Sequence, residues 1–321
     1  MVTLERINEA RERLKGVATR TPIVPYSQPI DGRVLYLKPE NFQPIGSFKL
    51  RGAYNKICSL REDERRRGVI AYSSGNHAQG VAYAARAIGV KATIVMPRNA
   101  PPIKLNGTKA LGAEVVMVGP GSHERKAKAE EIAKERGLAI VPPYNDENII
   151  AGAASVGMEI VEDLAGVEVV LVPVGGGGLV SGVSTAVKLS NPKVQVIGVE
   201  PEFANDAQQS LKTGRIVELS AEEVTRTVAD GLRTQSIGEI NFQHIRQYVD
   251  AIVTVKEDEI LAAMRRLATE AKLVVEPSGA VTTAAFMFHA GEFRSGKTVA
   301  VISGGSVEPE FLAKVITGSS I

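Results

Sequence analysis

Nine short apolar runs recur along the 321 residues, most of them separated by segments of helical pattern. They are RVLYLK (33–38), GVIAYSS (68–74), KATIVMP (91–97), AEVVMVG (113–119), LAIVPPY (138–144), VEVVLVPVG (167–175), VQVIGVE (194–200), AIVTV (251–255) and TVAVISGG (298–305). Apolar runs without polar alternation suit strands buried on both faces, and connections long enough for a helix suit parallel neighbours. HAQGVAYAARAIG and SHERKAKAEEIAKERG are two such connections. The expected class is α/β. Nine strands exceed what one small sheet usually holds, so two doubly wound domains with parallel sheets are expected. No composition shift marks a linker, and neither a low-complexity segment nor a 20–50-residue repeat is evident.

Composition narrows the partner. A net charge of +2, from 38 basic and 36 acidic residues, gives no electrostatic footprint for nucleic acid or an anionic membrane, so a small molecule is expected. Cys58 is the single cysteine, which excludes an intrachain disulfide, a thiolate zinc site and an iron–sulfur cluster built by this chain alone, and fits a reducing cytoplasm. VTLERINEARERLKGVA reads as a polar helix with Leu4, Ile7, Ala10 and Leu14 on one side, not as a signal core. No apolar run approaches the ~20 residues that span a bilayer.

Ligands of open parallel sheets gather at the carboxyl ends of strands, and three turns there are unusual. YSSGNHAQG, Tyr72 to Gly80, leads from a strand into small polar residues ahead of a helix. A helix N-terminus offers unpaired N–H groups and a positive dipole end, and Ser73, Ser74, Asn76 and His77 add donors, so the turn suits a carboxylate or phosphate. A plain N-cap would use the same residues. PVGGGGLVSG, Pro173 to Gly182, sets Gly175, Gly176, Gly177 and Gly178 between a strand and a helix, where a backbone without Cβ atoms can curl around an anion. It lacks the Lys-Ser/Thr of a P-loop and the setting of a dinucleotide fingerprint. VISGGSVEP, Val301 to Pro309, places the neutral hydroxyl of Ser303 at a strand end.

A lysine in a glycine-flanked turn, PIGSFKLRGA, completes the set: Lys49 follows Gly46 and Phe48. A phosphate cradle, a carboxylate clamp, a neutral polar contact and a lysine together answer the needs of pyridoxal phosphate. Its aldehyde takes a lysine, its phosphate takes backbone donors, and its ring takes a nitrogen partner and an apolar wall, which Phe48 can supply. The remote alternative is a noncatalytic phosphate- or nucleotide-binding protein built on the Gly175–Gly178 loop.

At these residues the chain resembles the fold-type-II pyridoxal-phosphate enzymes, specifically the serine/threonine dehydratase and serine racemase group. TPIVPYS, YLKPENFQPIGSFKLRGA, SSGNHAQGVAYAA, GGGGLVSG, VIGVEP, TVADGL, VVEPSGA and ISGGSV occur in family order across nearly the whole chain. The resemblance implies a tryptophan-synthase-β-like fold in which residues 47–145 form a small domain inserted into a larger one made of 1–46 and 146–321. It implies that Lys49 carries the cofactor, Phe48 lies against the ring, Asn76 meets the 3′-hydroxyl, Gly175 to Leu179 surround the phosphate, and Ser303 faces the ring nitrogen. It also implies that Ser73, Ser74, Asn76 and His77 hold the substrate carboxylate. Glu276 reads either as a buried carboxylate near the cofactor edge or as a turn residue. The expected assembly is a homodimer or homotetramer.

A neutral serine at the ring nitrogen supports an electron sink less well than an aspartate, which favours β-elimination over transamination. The expected activity is that of an ammonia-lyase: loss of water from a β-hydroxy amino acid of the threonine/serine class, giving a 2-oxo acid and ammonia. Lys49 would be the Cα base, its amine made less basic by an apolar cleft. The alternative is an amino-acid racemase, with Ser74 as the acid/base on the opposite face. Serine racemases have an arginine that helps hold the substrate, and the alignment puts Glu124 there with Arg125 one residue away, which favours elimination.

GVEPEFANDAQQ has Glu200, Ala204 and Asp206 spaced as in the cation site of racemase-like relatives, so Mg²⁺, Ca²⁺ or Mn²⁺ is expected on two carboxylates and the Ala204 carbonyl, although a solvated acidic loop would have the same sequence. His123, His244 and His289 are dispersed and read as surface or packing residues. The family's AGQGT is AGAAS here, and Ala153 is expected to open the substrate pocket for a bulkier side chain such as that of phenylserine or hydroxyaspartate. Tyr144 is expected to line that space and Arg233 to be a candidate for a second carboxylate. With Ile321 soon after Ser303, no regulatory domain and no isoleucine inhibition are expected.

Overall fold

A computed structural model describes residues 1–26, 28–30 and 32–319, so Ser27 of the TPIVPYS motif lies outside the described residues. The chain begins with α1 (Leu4–Leu14), β1 (Val24–Pro25), β2 (Leu35–Pro39), α2 (Lys49–Cys58) and α3 (Glu62–Arg67). It continues through β3 (Val69–Tyr72), α4 (Asn76–Ile88), β4 (Ala92–Pro97), α5 (Pro102–Ala110), β5 (Glu114–Val118), α6 (Ser122–Arg136) and β6 (Ala139–Ile140). Next come α7 (Glu147–Asp163), β7 (Val169–Pro173), α8 (Gly178–Ser190), β8 (Gln195–Pro201), α9 (Asp206–Thr213), α10 (Ala221–Val224) and α11 (Glu239–Tyr248). It ends with β9 (Ala251–Val255), α12 (Glu257–Thr269), α13 (Pro277–Phe288), β10 (Thr298–Ile302) and α14 (Pro309–Thr317).

Two sheets form among the described residues. The larger has the order β1-β2-β10-β7-β8-β9 and the smaller β5-β4-β3-β6. Every neighbouring pair is parallel except β1 with β2. All nine sequence-predicted strands are present. β6 stops after two residues because Pro142 and Pro143 follow, and a proline has no N–H for a ladder.

The continuous apolar runs are explained by burial on both faces. Val169, Leu171, Ala300 and Ile302 enter one core cluster, while Val170, Val172, Val299 and Val301 enter another across the sheet. In the smaller sheet Ile94 and Met96 face one way and Val95 the other. On α1 the expected stripe narrows: Ile7, Ala10 and Leu14 are buried, and Leu4 is exposed.

What places the two sheets is the crossing of α2 on α7. A Cβ on Gly152 would lie 2.4 Å from the Arg51 carbonyl oxygen, and one on Gly52 would lie 3.0 Å from that of Ile149. Only hydrogens fit between these backbones. α4 closes on α2 from the other side, since a Cβ on Gly80 would lie 3.1 Å from the Lys49 carbonyl. The start of α2 is thereby held from two directions, by α4 at Lys49 and by α7 at Arg51 and Gly52.

Candidate active site

The unusual turns end strands β3, β7 and β10, and all three open on one cleft of about 580 Å³. Phe48, Lys49, Ser73, Ser74, Asn76, His77, Tyr144, Gly175 to Leu179, Arg233, Glu276 and Ser303 all line it. These positions are spread over more than 250 residues of sequence, and parallel topology brings them together.

The lysine turn is stitched to the serine turn. Phe48 N–H donates to the Ser303 carbonyl at 3.1 Å, Gly305 N–H donates to that of Gly46 at 2.9 Å, and Ser47 bridges Gly304. Lys49 Nζ donates to the Pro143 carbonyl at 2.8 Å and lies 5.1 Å from the centroid of the Phe48 ring. Burial pulls its ammonium from the ordinary 10.5 down to about 8, because no carboxylate stands beside it to offset desolvation. About a tenth of the amine is therefore neutral at pH 7, far more than for an ordinary lysine.

Each glycine of the cradle backs onto a neighbour. A Cβ on Gly176 would lie 2.2 Å from Tyr144 ring carbons, one on Gly177 would lie 2.8 Å from Asn241, and one on Gly175 would lie 3.3 Å from the Gly231 carbonyl. Gly177, with φ +93°, is the N-cap of α8 in the left-handed region. The four glycines are thus required by packing as well as by the turn, and α8 presents its unpaired N–H end to the cleft.

Around the Ser73–His77 turn, Asn76 Nδ2 donates to Glu276 Oε1, and Asn76 Oδ1 is buried without a partner. His77 Nε2 is 2.9 Å from the Val141 carbonyl and must donate to it; burial and the neighbouring Lys49 charge pull its pKa down to about 3, which keeps the ring neutral near neutral pH. Ser303 Oγ donates to the Ser278 carbonyl at 3.3 Å. Burial pushes the Tyr144 hydroxyl up to about 12, so it stays a phenol, 3.5 Å from the Ser236 carbonyl. Arg233 reaches the cleft wall, but its Nε and Nη2 both donate to the Thr227 carbonyl, which ties the guanidinium to its own loop.

Two expectations are corrected. Ala153 does not border the cleft: it is buried on α7 in the core of the larger sheet, where its carbonyl carbon would lie 2.9 Å from a Cβ on Gly182 of α8. The exchange of AGQGT for AGAAS therefore alters helix packing at that position. It is Arg125, not Glu124, that lines the cleft, because the Glu124 carboxylate folds back against Gly119 and Gly121. The sequence argument against racemisation loses that support.

Glu200 and Asp206 lie outside this cleft, behind the loop that carries Ser236 to Gly238. Glu200 Oε1 and Oε2 accept from the Ala207 and Gln208 N–H groups at 3.0 and 2.8 Å. Both oxygens of Asp206 are buried without a hydrogen-bond partner. Burial, with the Asp206 charge adding to it, pushes Glu200 well above the carboxylate range, and burial pushes Asp206 up to about 7. Among the described residues no group of three or more His, Cys, Asp or Glu side chains is arranged to hold a metal ion, so any cation here would take the rest of its oxygens from backbone and water.

Lys104 and Asp230 were missed from the sequence. Lys104, on α5, lines the cleft with Nζ 2.6 Å from Asp230 Oδ2 and 3.2 Å from Glu276 Oε2. The available signal was a lysine between the apolar residues Ile103 and Leu105.

Among known proteins, the chain is 46% identical over 319 residues to L-threonine ammonia-lyase of Thermotoga maritima, covering 98% of this chain and 78% of that one. It is 38% identical to L-threo-3-hydroxyaspartate ammonia-lyase of Saccharomyces cerevisiae, covering 97% and 95%. The solved structure of maize serine racemase superposes with a TM-score of 0.93 at 34% identity, covering 99% and 97%. Residues 14–304 match the family described as pyridoxal-phosphate dependent enzyme, and the chain belongs to that family.

Proposed function

We propose that this protein is a pyridoxal-phosphate-dependent ammonia-lyase that removes water from a β-hydroxy L-amino acid of the threonine/serine class. The observation that carries the reading is Lys49, a partly buried amine with its ammonium near 8, set among the glycine cradle, the Ser73–Asn76 turn and a neutral Ser303 hydroxyl. Relatives named as threonine and hydroxyaspartate ammonia-lyases, matched over 98% and 97% of this chain, support it. Residues 47–145 then form the smaller of two domains, with the cleft between it and the remainder.

The donor set fits the cofactor: an amine for the aldehyde, a side-chain-free loop at a helix N-terminus for the phosphate, and the partnerless Asn76 oxygen, which would accept from the 3′-hydroxyl. When bound, pyridoxal phosphate supplies the electron sink that makes Cα of an amino acid acidic. The chain does the rest. The Ser73–Asn76 turn, at the positive end of α4, holds the substrate carboxylate and fixes which Cα bond faces Lys49. The neutral Lys49 amine takes the Cα proton and, as an ammonium, can pass it to the departing β-hydroxyl, so that water leaves. Neutral Ser303 does not charge the ring nitrogen, and elimination needs less of that support than transamination does. A second water then releases ammonia, leaving the 2-oxo acid.

Racemisation is the second reading, favoured by Arg125 on the cleft wall and by the likeness to a serine racemase. Ser74 is its acid/base candidate on the face opposite Lys49. With serine, threonine, phenylserine and hydroxyaspartate stereoisomers, 2-oxo acid is expected to form faster than recovered substrate inverts. Inversion outrunning 2-oxo acid would replace the first reading with the second.

The Glu200–Asp206 pair is proposed as a divalent-cation site with the Ala204 carbonyl. Two buried carboxylates with no basic partner fit a cation that would neutralise them. Adding Mg²⁺ or Ca²⁺ to chelator-treated protein at about 100 times its dissociation constant should stabilise it by about 2.7 kcal/mol, several degrees in melting temperature. Asp206→Asn should abolish the shift, and a wild-type curve indifferent to both cations would remove the site.

A further inference from the structure

We infer that Lys104 is a positioning residue for the ammonia-lyase reaction, a cation that latches the substrate-carboxylate turn to the opposite wall of the cleft. The inference rests on the function proposed above. Lys104 belongs to α5 beside the smaller sheet, whereas Asp230 and Glu276 belong to the turn before residue 233 and to the start of α13, beside the larger sheet. Its ammonium joins both carboxylates, at 2.6 and 3.2 Å, with the lysine side chain only 3% exposed.

Three contacts make this more than an ion pair between halves of the molecule. The stem of Lys104 underlies the Ser73–Asn76 turn, since a Cβ on Gly75 would lie 3.2 Å from Lys104 Cδ. Glu276, held by Lys104 through Oε2, accepts from Asn76 Nδ2 through Oε1, so the lysine and the asparagine share one carboxylate. Glu276 N–H donates to the Gly304 carbonyl at 3.2 Å, next to Ser303. One cation therefore reaches the substrate turn by packing, and reaches Asn76 and the Ser303 turn through Glu276.

Lys104 is not a second base. Its two carboxylates outweigh the burial that would otherwise lower it, so its ammonium stays above the ordinary lysine range and remains charged wherever the enzyme works. Its work is electrostatic and geometric. Without it, the buried Glu276 and the partly exposed Asp230 face each other as like charges with no counter-ion, and the Ser73–Asn76 turn loses its support.

The test compares Lys104→Met, Lys104→Arg and Asp230→Asn with wild type, each loaded with pyridoxal phosphate. Lys104→Met should retain stoichiometric cofactor, read from its visible absorbance, while KM for the amino acid rises about 10- to 100-fold and kcat falls less. Lys104→Arg should recover part of the loss. Asp230→Asn should raise KM in the same direction, and combining it with Lys104→Met should add little, because both remove one interaction. Wild-type KM in Lys104→Met or in Asp230→Asn, or losses that multiply in the double variant, would overturn the latch. If Lys104→Met is insoluble, Lys104→Arg and Asp230→Asn decide by the same criterion. Failure of the wild-type protein to take up cofactor would instead refute the underlying function.

Discussion

Lys49→Ala is expected to fold, to show no visible absorbance from covalently held cofactor, and to lose at least about 10³-fold in turnover, since one side chain both anchors the cofactor and moves the Cα proton. Folding should survive because what fixes this position is backbone: Gly80 closes on Lys49 itself and Gly152 on Arg51 two residues along, and the Lys49 amine has one neutral acceptor, the Pro143 carbonyl. The pH dependence follows from burial. The ammonium sits near 8 in place of 10.5, so below about 8 the amine is mostly protonated and unreactive, and above it mostly neutral. Covalent uptake of pyridoxal phosphate by cofactor-free protein should therefore quicken as pH rises and level off above about 8. A rate still climbing toward the ordinary lysine value would mean a solvated amine, and an unchanged spectrum in Lys49→Ala would place the attachment elsewhere.

The strands and the three turns were legible because both are local. An apolar run of five to seven residues states its own burial, and a glycine quartet states its own need for backbone room. Parallel topology then sends every such turn to the same end of its sheet, which is why reading Lys49, Asn76, Gly175 and Ser303 as one set was possible without any contact in view. Pairings between distant residues were not legible. Lys104 and Glu276 are separated by 172 positions and look like surface charges until the fold joins them. Ala153 was misplaced for a related reason: sequence shows that a long side chain is replaced by a methyl, but whether that methyl faces a cleft or another helix depends on the rotation of α7. Glu124 and Arg125 show the same limit at a single step, since adjacent helical residues point about 100° apart.

Arg51→Met is expected to cost about 3–5 kcal/mol and to disturb the site two residues away, because Arg51 is the centre of a buried ion network. Its Nε and Nη2 donate to Glu40 at 2.7 and 2.8 Å, and its Nη1 and Nη2 donate to Glu159 at 2.6 and 2.9 Å. Lys38 Nζ meets the same Glu159 at 2.6 Å, and Thr21 Oγ1 donates to Glu40 at 2.8 Å. Removing the guanidinium leaves two buried carboxylates sharing only the Lys38 charge, and the desolvation that the network had offset reappears in full. The acid limb of stability should change with it. Burial alone would raise Glu40, but Arg51 and then Lys38 overcome it, so Glu40 lies below the ordinary carboxylate range when folded. A depressed folded value contributes stability that is present above the unfolded value of about 4.5 and is lost as pH falls toward the folded one. In Arg51→Met that depression goes, so its stability deficit relative to wild type should be widest at neutral pH and narrow on acidification. Because α2 starts at Lys49 and is pinned at Arg51, the variant should also hold cofactor more weakly, whereas Lys56→Met, further along the same helix and partly exposed, should not. Denaturant melts across pH, with cofactor titrations on both variants, decide this: equal deficits at every pH would mean that Arg51 only fills space.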